Sequence, residues 1–367
     1  MPPDVPASDN AGTTIEPRIV FVTGFPVFAA RRLVREMVAG GDEVWLLVRN
    51  KFLLDANEFV ASLAADIPQG PPVRVLEGDI LDIDLGLTGA EVRDLHAHVQ
   101  EIHHIAAVNY LGTPTRKKRL VNVEGLREVL EFAFGMKKLD RICHWSTAFV
   151  AGARGGVVYE NELMVGQAFR NDYEETKAAA EVLARNAMSK LPITIVRPSI
   201  LVGASDTGRV DRFDGVYLAI RRIVAAPPNV SVPLPGHGRF DMHVVPVDYV
   251  ARATRYLARN PGAVGATVHL VDSQPLSAGR FFDAVADAAG RPRPTAILPG
   301  GVARAVLNLP GIRAIARNDL EFVEWLDSEV RFDATNADRL LAGSGITCPP
   351  VQSYVDVLVR YVRDHAT

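Results

Sequence analysis

The strongest constraint on how this chain folds is a rhythm. Short runs of β-branched and other apolar residues alternate with stretches whose apolar residues recur at helical spacing. The first run, residues 18–24 (RIVFVTG), ends on Gly24 and reads as a buried parallel strand. Residues 27–39 follow with Ala30, Val34, Met37 and Val38 on one helical face, and Gly40 and Gly41 stop that helix. Further strands are expected over 43–48, 73–79, 101–107, 141–147, 192–202 and 266–272. Helices are expected over 89–99, 115–134, 172–189, 250–259 and 278–289. Strand and helix taking turns at this spacing predicts βαβ units and an α/β fold with a doubly wound parallel sheet.

The rhythm breaks after Gly203. Residues 225–238 are heavy in Pro and Gly and read as loop, and the chain beyond 273 reads as mainly helical with Pro-rich connections. The expected organisation is a leader over 1–16, rich in Pro, Ala, Asp and Thr and disordered. A sheet domain over 17–205 follows, to which 241–272 return. Residues 206–240 and 273–367 would form a smaller, mainly helical C-terminal lobe. That lobe would lie over the carboxyl edge of the sheet, where ligands bind in open α/β sheets.

Composition excludes several functions. An apolar content of 48% with 23% charged residues is that of a globular protein able to bury a core. The formal net charge of −3 argues against nucleic acid as a partner. Cys143 and Cys348 stand far apart, which argues against a disulfide framework and a zinc knuckle and fits a reducing, cytoplasmic setting. No apolar window is long enough for a membrane span, and the start has no signal-peptide pattern. No metal site is expected: His96 and His98 face different ways on a helix, and His103 and His104 point to opposite faces of a strand.

The turn after the first strand is Thr23-Gly24-Phe25-Pro26-Val27-Phe28-Ala29-Ala30. It resembles the T-G-x-x-G-x-x-G turn of extended short-chain dehydrogenases, whose glycines let backbone approach a pyrophosphate at a helix N-terminus. Val27 and Ala30 stand where the second and third glycines would be. Ala30 still allows close helix packing, whereas the branched Val27 projects into space a phosphate would use. Pro26 is suited to a first helical turn. A plain strand-to-helix connection is the alternative. Arg49 follows the second strand about 25 residues past Gly24, where an Arg suits the 2′-phosphate of NADP, with Lys51 or Arg31 in support. By the same resemblance Asp79 meets the adenine amino group, with Ile80 and Ala106 also beside the cofactor.

Tyr173 and Lys177, four apart, share one face of the helix after the fifth strand. An ammonium near a phenol stabilises the phenolate, so such a Tyr can pass a proton to or from a carbonyl oxygen. The same Lys can hold the nicotinamide ribose. At the end of the fifth strand a hydroxyl, Thr147 in preference to Ser146, would orient the substrate carbonyl. Asn122, in the middle of a helix that it suits poorly, is either a buried structural residue or a proton relay. Pro198 and Ser199, after Arg197, resemble the segment that packs on the nicotinamide carboxamide.

These matches run in order from Thr23 to about Tyr249. The wording is closest to thioester-reductase-like and fatty-acyl-CoA-reductase-like members of the extended family. The parts that carry this are Leu47-Val48-Arg49, His104-Ile105-Ala106-Ala107, Ser146-Thr147-Ala148-Phe149-Val150 and Val245-Pro246-Val247-Asp248-Tyr249. The resemblance implies a Rossmann fold and an NADP(H)-dependent oxidoreductase that reduces a carbonyl or acyl thioester, of long or bulky apolar character. It also implies a possible homodimer through helices 115–134 and 172–189. Two other readings stay open: a nucleotide-sugar epimerase or dehydratase with a recycled NAD, and a non-catalytic dinucleotide-sensing protein. Residues 296–317, apolar with regular Arg, could rest on a membrane surface, line an acyl groove or pack in the back lobe.

Overall fold

Strands buried on both faces need helices on both sides, and this chain supplies them. The computed structural model describes residues 17–110, 113–235, 238–295, 297–298 and 329–365. The expected leader and most of 296–317 lie outside the described residues.

The central sheet has β1 (Ile19–Thr23), β2 (Glu43–Val48), β3 (Val73–Glu77), β4 (Glu101–His104), β5 (Arg141–Trp145), β6 (Ile193–Pro198) and β7 (Thr267–Leu270). Their spatial order is β3-β2-β1-β4-β5-β6-β7, and every pairing is parallel. The connection from β3 to β4 crosses over β2 and β1, so the strand order reverses between β1 and β4. A ligand crevice opens at that switch point, at the carboxyl ends of the strands.

One face of the sheet is covered by α1 (Phe28–Ala39), α2 (Leu53–Asp66) and α8 (Val247–Arg259), which bury Leu33, Val34, Met37, Leu63, Val250 and Leu257 against it. The other is covered by α3 (Gly89–His98), α5 (Gly125–Ala133) and α6 (Asp172–Ala187), around Phe21, Leu95, Leu126, Val129 and Ala184. A third apolar cluster joins α7 (Val216–Ala225), α9 (Ala278–Ala289) and α11 (Val355–His365) beyond the sheet's edge, through Tyr217, Phe281, Phe282 and Leu358.

The structure departs from the sequence reading in several places. Helix α2 was not anticipated; its buried residues, Ala56 and Leu63, are too few to give a clear period. The helix expected over 115–134 is interrupted: α4 (Thr115–Arg119) passes into a π-helical turn over Leu120–Glu124 before α5. Such turns often mark functional sites, and here Asn122 sits inside it. The strand expected over 192–202 is two. Ile200–Val202 leaves the sheet and pairs with Val244–Pro246. The back third is not only helical, since Val330–Phe332 pairs in parallel with Gly156–Val158, ahead of α10 (Thr335–Leu341). The buried Glu160 carboxylate stitches this region to the sheet, accepting from the backbone N–H of His269 at 2.8 Å and of Ala337 at 3.2 Å. Of residues 296–317 only 297–298 are described, as a short strand against Leu234–Pro235.

Candidate active site

Gly24 ends β1 in a conformation that favours glycine, with φ +103°. A Cβ there would lie 2.6 Å from the backbone nitrogen of Ala106 and 2.8 Å from the carbonyl carbon of Ile105. The loops after β1 and β4 therefore touch backbone to backbone at the switch point. Gly24→Ala combines left-handed strain of about 1–3 kcal/mol with this collision. A lower urea midpoint and lost dinucleotide binding in a fluorescence titration are the expected results.

Past Gly24, the Phe25–Pro26 peptide is cis, and α1 starts only at Phe28 with Val27 as its N-cap. Pro26 thus lies ahead of the helix instead of in its first turn. Val27 is 41% exposed and is among the residues shared by the linings of two cavities.

The larger cavity, about 630 Å³, is walled by Gly24, Phe25, Pro26, Val27 and Phe28 on one side and by Asp79, Ile80 and Ala106 on the other. Arg49 and Arg31 reach it. Arg49 lies over the Phe52 ring at 5.2 Å, and Arg31 over Phe25 at 5.0 Å while donating to the Pro26 carbonyl at 3.2 Å. Lys51 is exposed and stacks on Phe52, and of the two cations expected beside Arg49 it is Arg31 that lines the cavity. Asp79 Oδ1 accepts from the Leu81 N–H at 3.1 Å.

The smaller cavity, about 290 Å³, takes in Thr147, Tyr173, Lys177, Pro198 and Ser199, with Trp145 and Phe149 as apolar wall. Lys177 is buried and donates to the Trp145 carbonyl at 2.6 Å. Burial pulls its ammonium down to about 8, against the opposing charge of Glu181. Thr147 Oγ1 accepts from the Phe149 N–H at 3.3 Å, and its own proton goes only to the distant Pro198 carbonyl at 3.5 Å. Ser146, the other hydroxyl considered, is committed to Glu181 at 2.7 Å.

Two expected site residues are not on a cavity wall. Thr23 is fully buried, and its hydroxyl pairs with His104 Nδ1 at 3.0 Å, pinning β1 to β4. Its side chain faces the sheet interior because strand alternation turns it away from the crevice. Asn122 accepts from the Val108 N–H at 2.7 Å and donates to the Val108 carbonyl at 3.2 Å and to Thr176 Oγ1 at 3.0 Å. Its carboxamide holds the loop after β4 against α6.

Arg197 turns inward to Glu181 and only Pro198 and Ser199 face the cavity. Missed by sequence reasoning were Val210, Arg212 and Asp214, which line both cavities. Their segment is tied down by Tyr217, whose oxygen accepts from Gly203 N at 2.6 Å, and by Asp248, which takes the Ser205 N–H at 2.8 Å. Three charged residues close together, Asp211, Arg212 and Asp214, were the available signal.

The residues fit a dinucleotide in three respects. Backbone approaches backbone at Gly24, the first turn of α1 carries no acidic residue to repel phosphate, and the buried Ser199 hydroxyl on the wall has no partner among the described residues.

The model of the family described as male sterility protein, an NAD-binding family, matches residues 22–254. The chain belongs to this family. Its architecture is that of the extended short-chain dehydrogenase/reductase type. Among curated family relatives, the fatty acyl-CoA reductase wat of Drosophila melanogaster is 24% identical over 64% of this chain and 52% of its own length. The carboxylic acid reductase of Segniliparus rugosus is 28% identical over 65% of this chain and 23% of its own. The chain thus spans about half or less of these relatives. The terminal R domain from the myxalamid PKS-NRPS biosynthetic pathway superposes with a TM-score of 0.77 at 25% identity, over 99% of this chain and 96% of that one. Among the described residues no group of three His, Cys, Asp or Glu could hold a metal, and no helix is long and apolar enough to cross a membrane.

Proposed function

We propose that the chain reduces an acyl thioester or another carbonyl compound of long or bulky apolar character, with NADP(H) as cofactor. The observation that carries this is convergence: Thr147, Tyr173, Lys177 and Ser199 meet on one cavity whose wall continues, past Val27, into a second cavity reached by Arg49 and Arg31. The relatives named as fatty acyl-CoA and carboxylic acid reductases, and the R-domain structure, support the acyl substrate.

When bound, the dinucleotide supplies the hydride. Arg49 and Arg31 would hold its 2′-phosphate, Asp79 its adenine, Lys177 a ribose hydroxyl, and Ser199 the carboxamide. On the substrate side Thr147 donates a hydrogen bond to the carbonyl oxygen. Tyr173 gives that oxygen a proton, its phenolate favoured by the Lys177 ammonium one helical turn away. Trp145 and Phe149 exclude water and receive the apolar part of the substrate. Asn122 serves by position, not as a relay, because its carboxamide is engaged by Val108 and Thr176.

The test is NADPH oxidation with a panel of acyl-CoA thioesters and aldehydes. Turnover with apolar members is the expected result. Tight NADPH binding without turnover across the panel would favour a sensing protein, and purification with bound NAD an epimerase. Arg49→Ala should weaken NADPH about 10- to 100-fold, the loss of a charge-assisted phosphate contact, and leave NADH nearly unchanged. Equal losses for both cofactors would remove Arg49 from the 2′-phosphate.

A further inference from the structure

We propose that Glu181 is a positioning residue of this site: its carboxylate sets α6, which carries Tyr173 and Lys177, against the strand ends that carry Thr147 and Ser199, and is the counter-charge of the Lys177 ammonium. The inference rests on the reductase reading for its consequence in turnover.

Tyr173, Lys177 and Glu181 follow one another at four-residue steps along one face of α6. Glu181 is fully buried, and it accepts from side chains beside the site and behind it. Oε2 accepts from Ser146 Oγ at 2.7 Å and from Arg197 Nε at 2.9 Å. Oε1 accepts from Arg197 Nη2 at 2.6 Å and from Arg185 Nε at 3.0 Å. Ser146 stands between Trp145, whose carbonyl takes the Lys177 ammonium, and Thr147. Arg197 immediately precedes Pro198, the last residue of β6, and Ser199 follows it. One carboxylate therefore joins the helix of the acid to both strand ends that complete the site. An ion pair kept for stability alone has no need of this, since apolar replacements of buried pairs are often neutral or stabilising.

The charges around Lys177 point the same way. From β4 and β5 it faces His104 and His144, and burial keeps both neutral, His104 down at about 3 and His144 well below its ordinary value. The backbone oxygen of Trp145 is a neutral acceptor. Glu181, on its own helix, is the carboxylate that opposes the burial of the ammonium. Burial pushes Glu181 up, yet Arg197, Arg185 and the Ser146 hydroxyl outweigh it and hold the group below the usual carboxylate range, so it is anionic at working pH. Taking that charge away leaves Arg197 and Arg185 uncompensated nearby. Both changes disfavour an ammonium at position 177.

The experiment uses the full chain labelled with 15N-lysine, the Lys177 Nζ resonance being identified by its loss in Lys177→Arg. The resonance is followed against pH in the wild type, Glu181→Gln and Glu181→Asp, beside the pH profile of turnover and NADPH affinity by fluorescence. The wild type should titrate near pH 8. Glu181→Gln should move that midpoint down by about one pH unit or more. Glu181→Asp, which keeps the charge but draws it back from Ser146 and Arg197, should move it less in the same direction. The alkaline limb of turnover should follow in each. A lowered melting temperature with the Lys177 titration left in place would overturn the proposal, whichever variant shows it. If the glutamine variant does not fold, the aspartate variant decides alone. If the wild type turns over no carbonyl, the reductase reading fails, and the Lys177 titration still tests Glu181.

Discussion

Tyr173→Phe should lower turnover about 10²- to 10⁴-fold, the range of a lost general acid, while NADPH affinity stays within about twofold. The substitution removes one oxygen and keeps the ring. Tyr173 is half-buried on the wall of the smaller cavity, one helical turn from Lys177, so the packing of α6 on β6 is undisturbed. Steady-state turnover with the best carbonyl substrate, beside a fluorescence titration, separates chemistry from binding. Residual activity near the wild-type level would mean that another group supplies the proton. The wild-type profile carries a second mark. The Lys177 ammonium is present below about pH 8 and lost above it, so turnover should fall on the alkaline side near that value.

Arg197→Leu should cost about 3–5 kcal/mol of folding stability, the expected penalty for breaking a buried ion pair from one side. Arg197 is fully buried. Its guanidinium donates to Glu181 at 2.6 and 2.9 Å and to the Glu162 carbonyl at 2.7 Å, and it meets His269 Nε2 at 3.1 Å. Leucine fills part of the volume but leaves the Glu181 carboxylate, in a water-free setting, with only Arg185 and Ser146. Urea denaturation of the two proteins measures the difference, and an unchanged midpoint would show that Arg185 suffices as partner. The variant's turnover should also fall, because Pro198 and Ser199 follow Arg197 directly.

The doubly wound sheet was legible because its signals are short-range. A β-branched run such as 43–48, or the apolar face of 27–39, needs no distant residue to declare itself. The Tyr173–Lys177 pair was legible for the same reason, since a four-residue step on a helix places two side chains side by side. Helix α2 escaped because it buries little, and the π-helical turn at Leu120–Glu124 because nothing in the local pattern distinguishes it from a continuing helix.

The site divides along the same line. Resemblance and spacing picked out Thr147, Tyr173, Lys177, Arg49, Asp79 and Ser199, and the fold brings all six to the two cavities. Thr23 belongs to His104, 81 residues away, and Ser146 and Arg197 belong to Glu181, 35 and 16 residues away. Arg212 and Asp214 reach both cavities only because the segment after Gly203 folds back across the strand ends. The sequence by itself determined the order of elements, the helix that carries Tyr173 and Lys177 and the turn that follows β1, all set by periodicity and by steps of one helical turn. Only the tertiary structure decided which hydroxyl lines the cavity, which arginine is buried and which carboxylate opposes the burial of the lysine. Those choices depend on what packing places within hydrogen-bond reach in a desolvated interior, where an unmet polar group is costly.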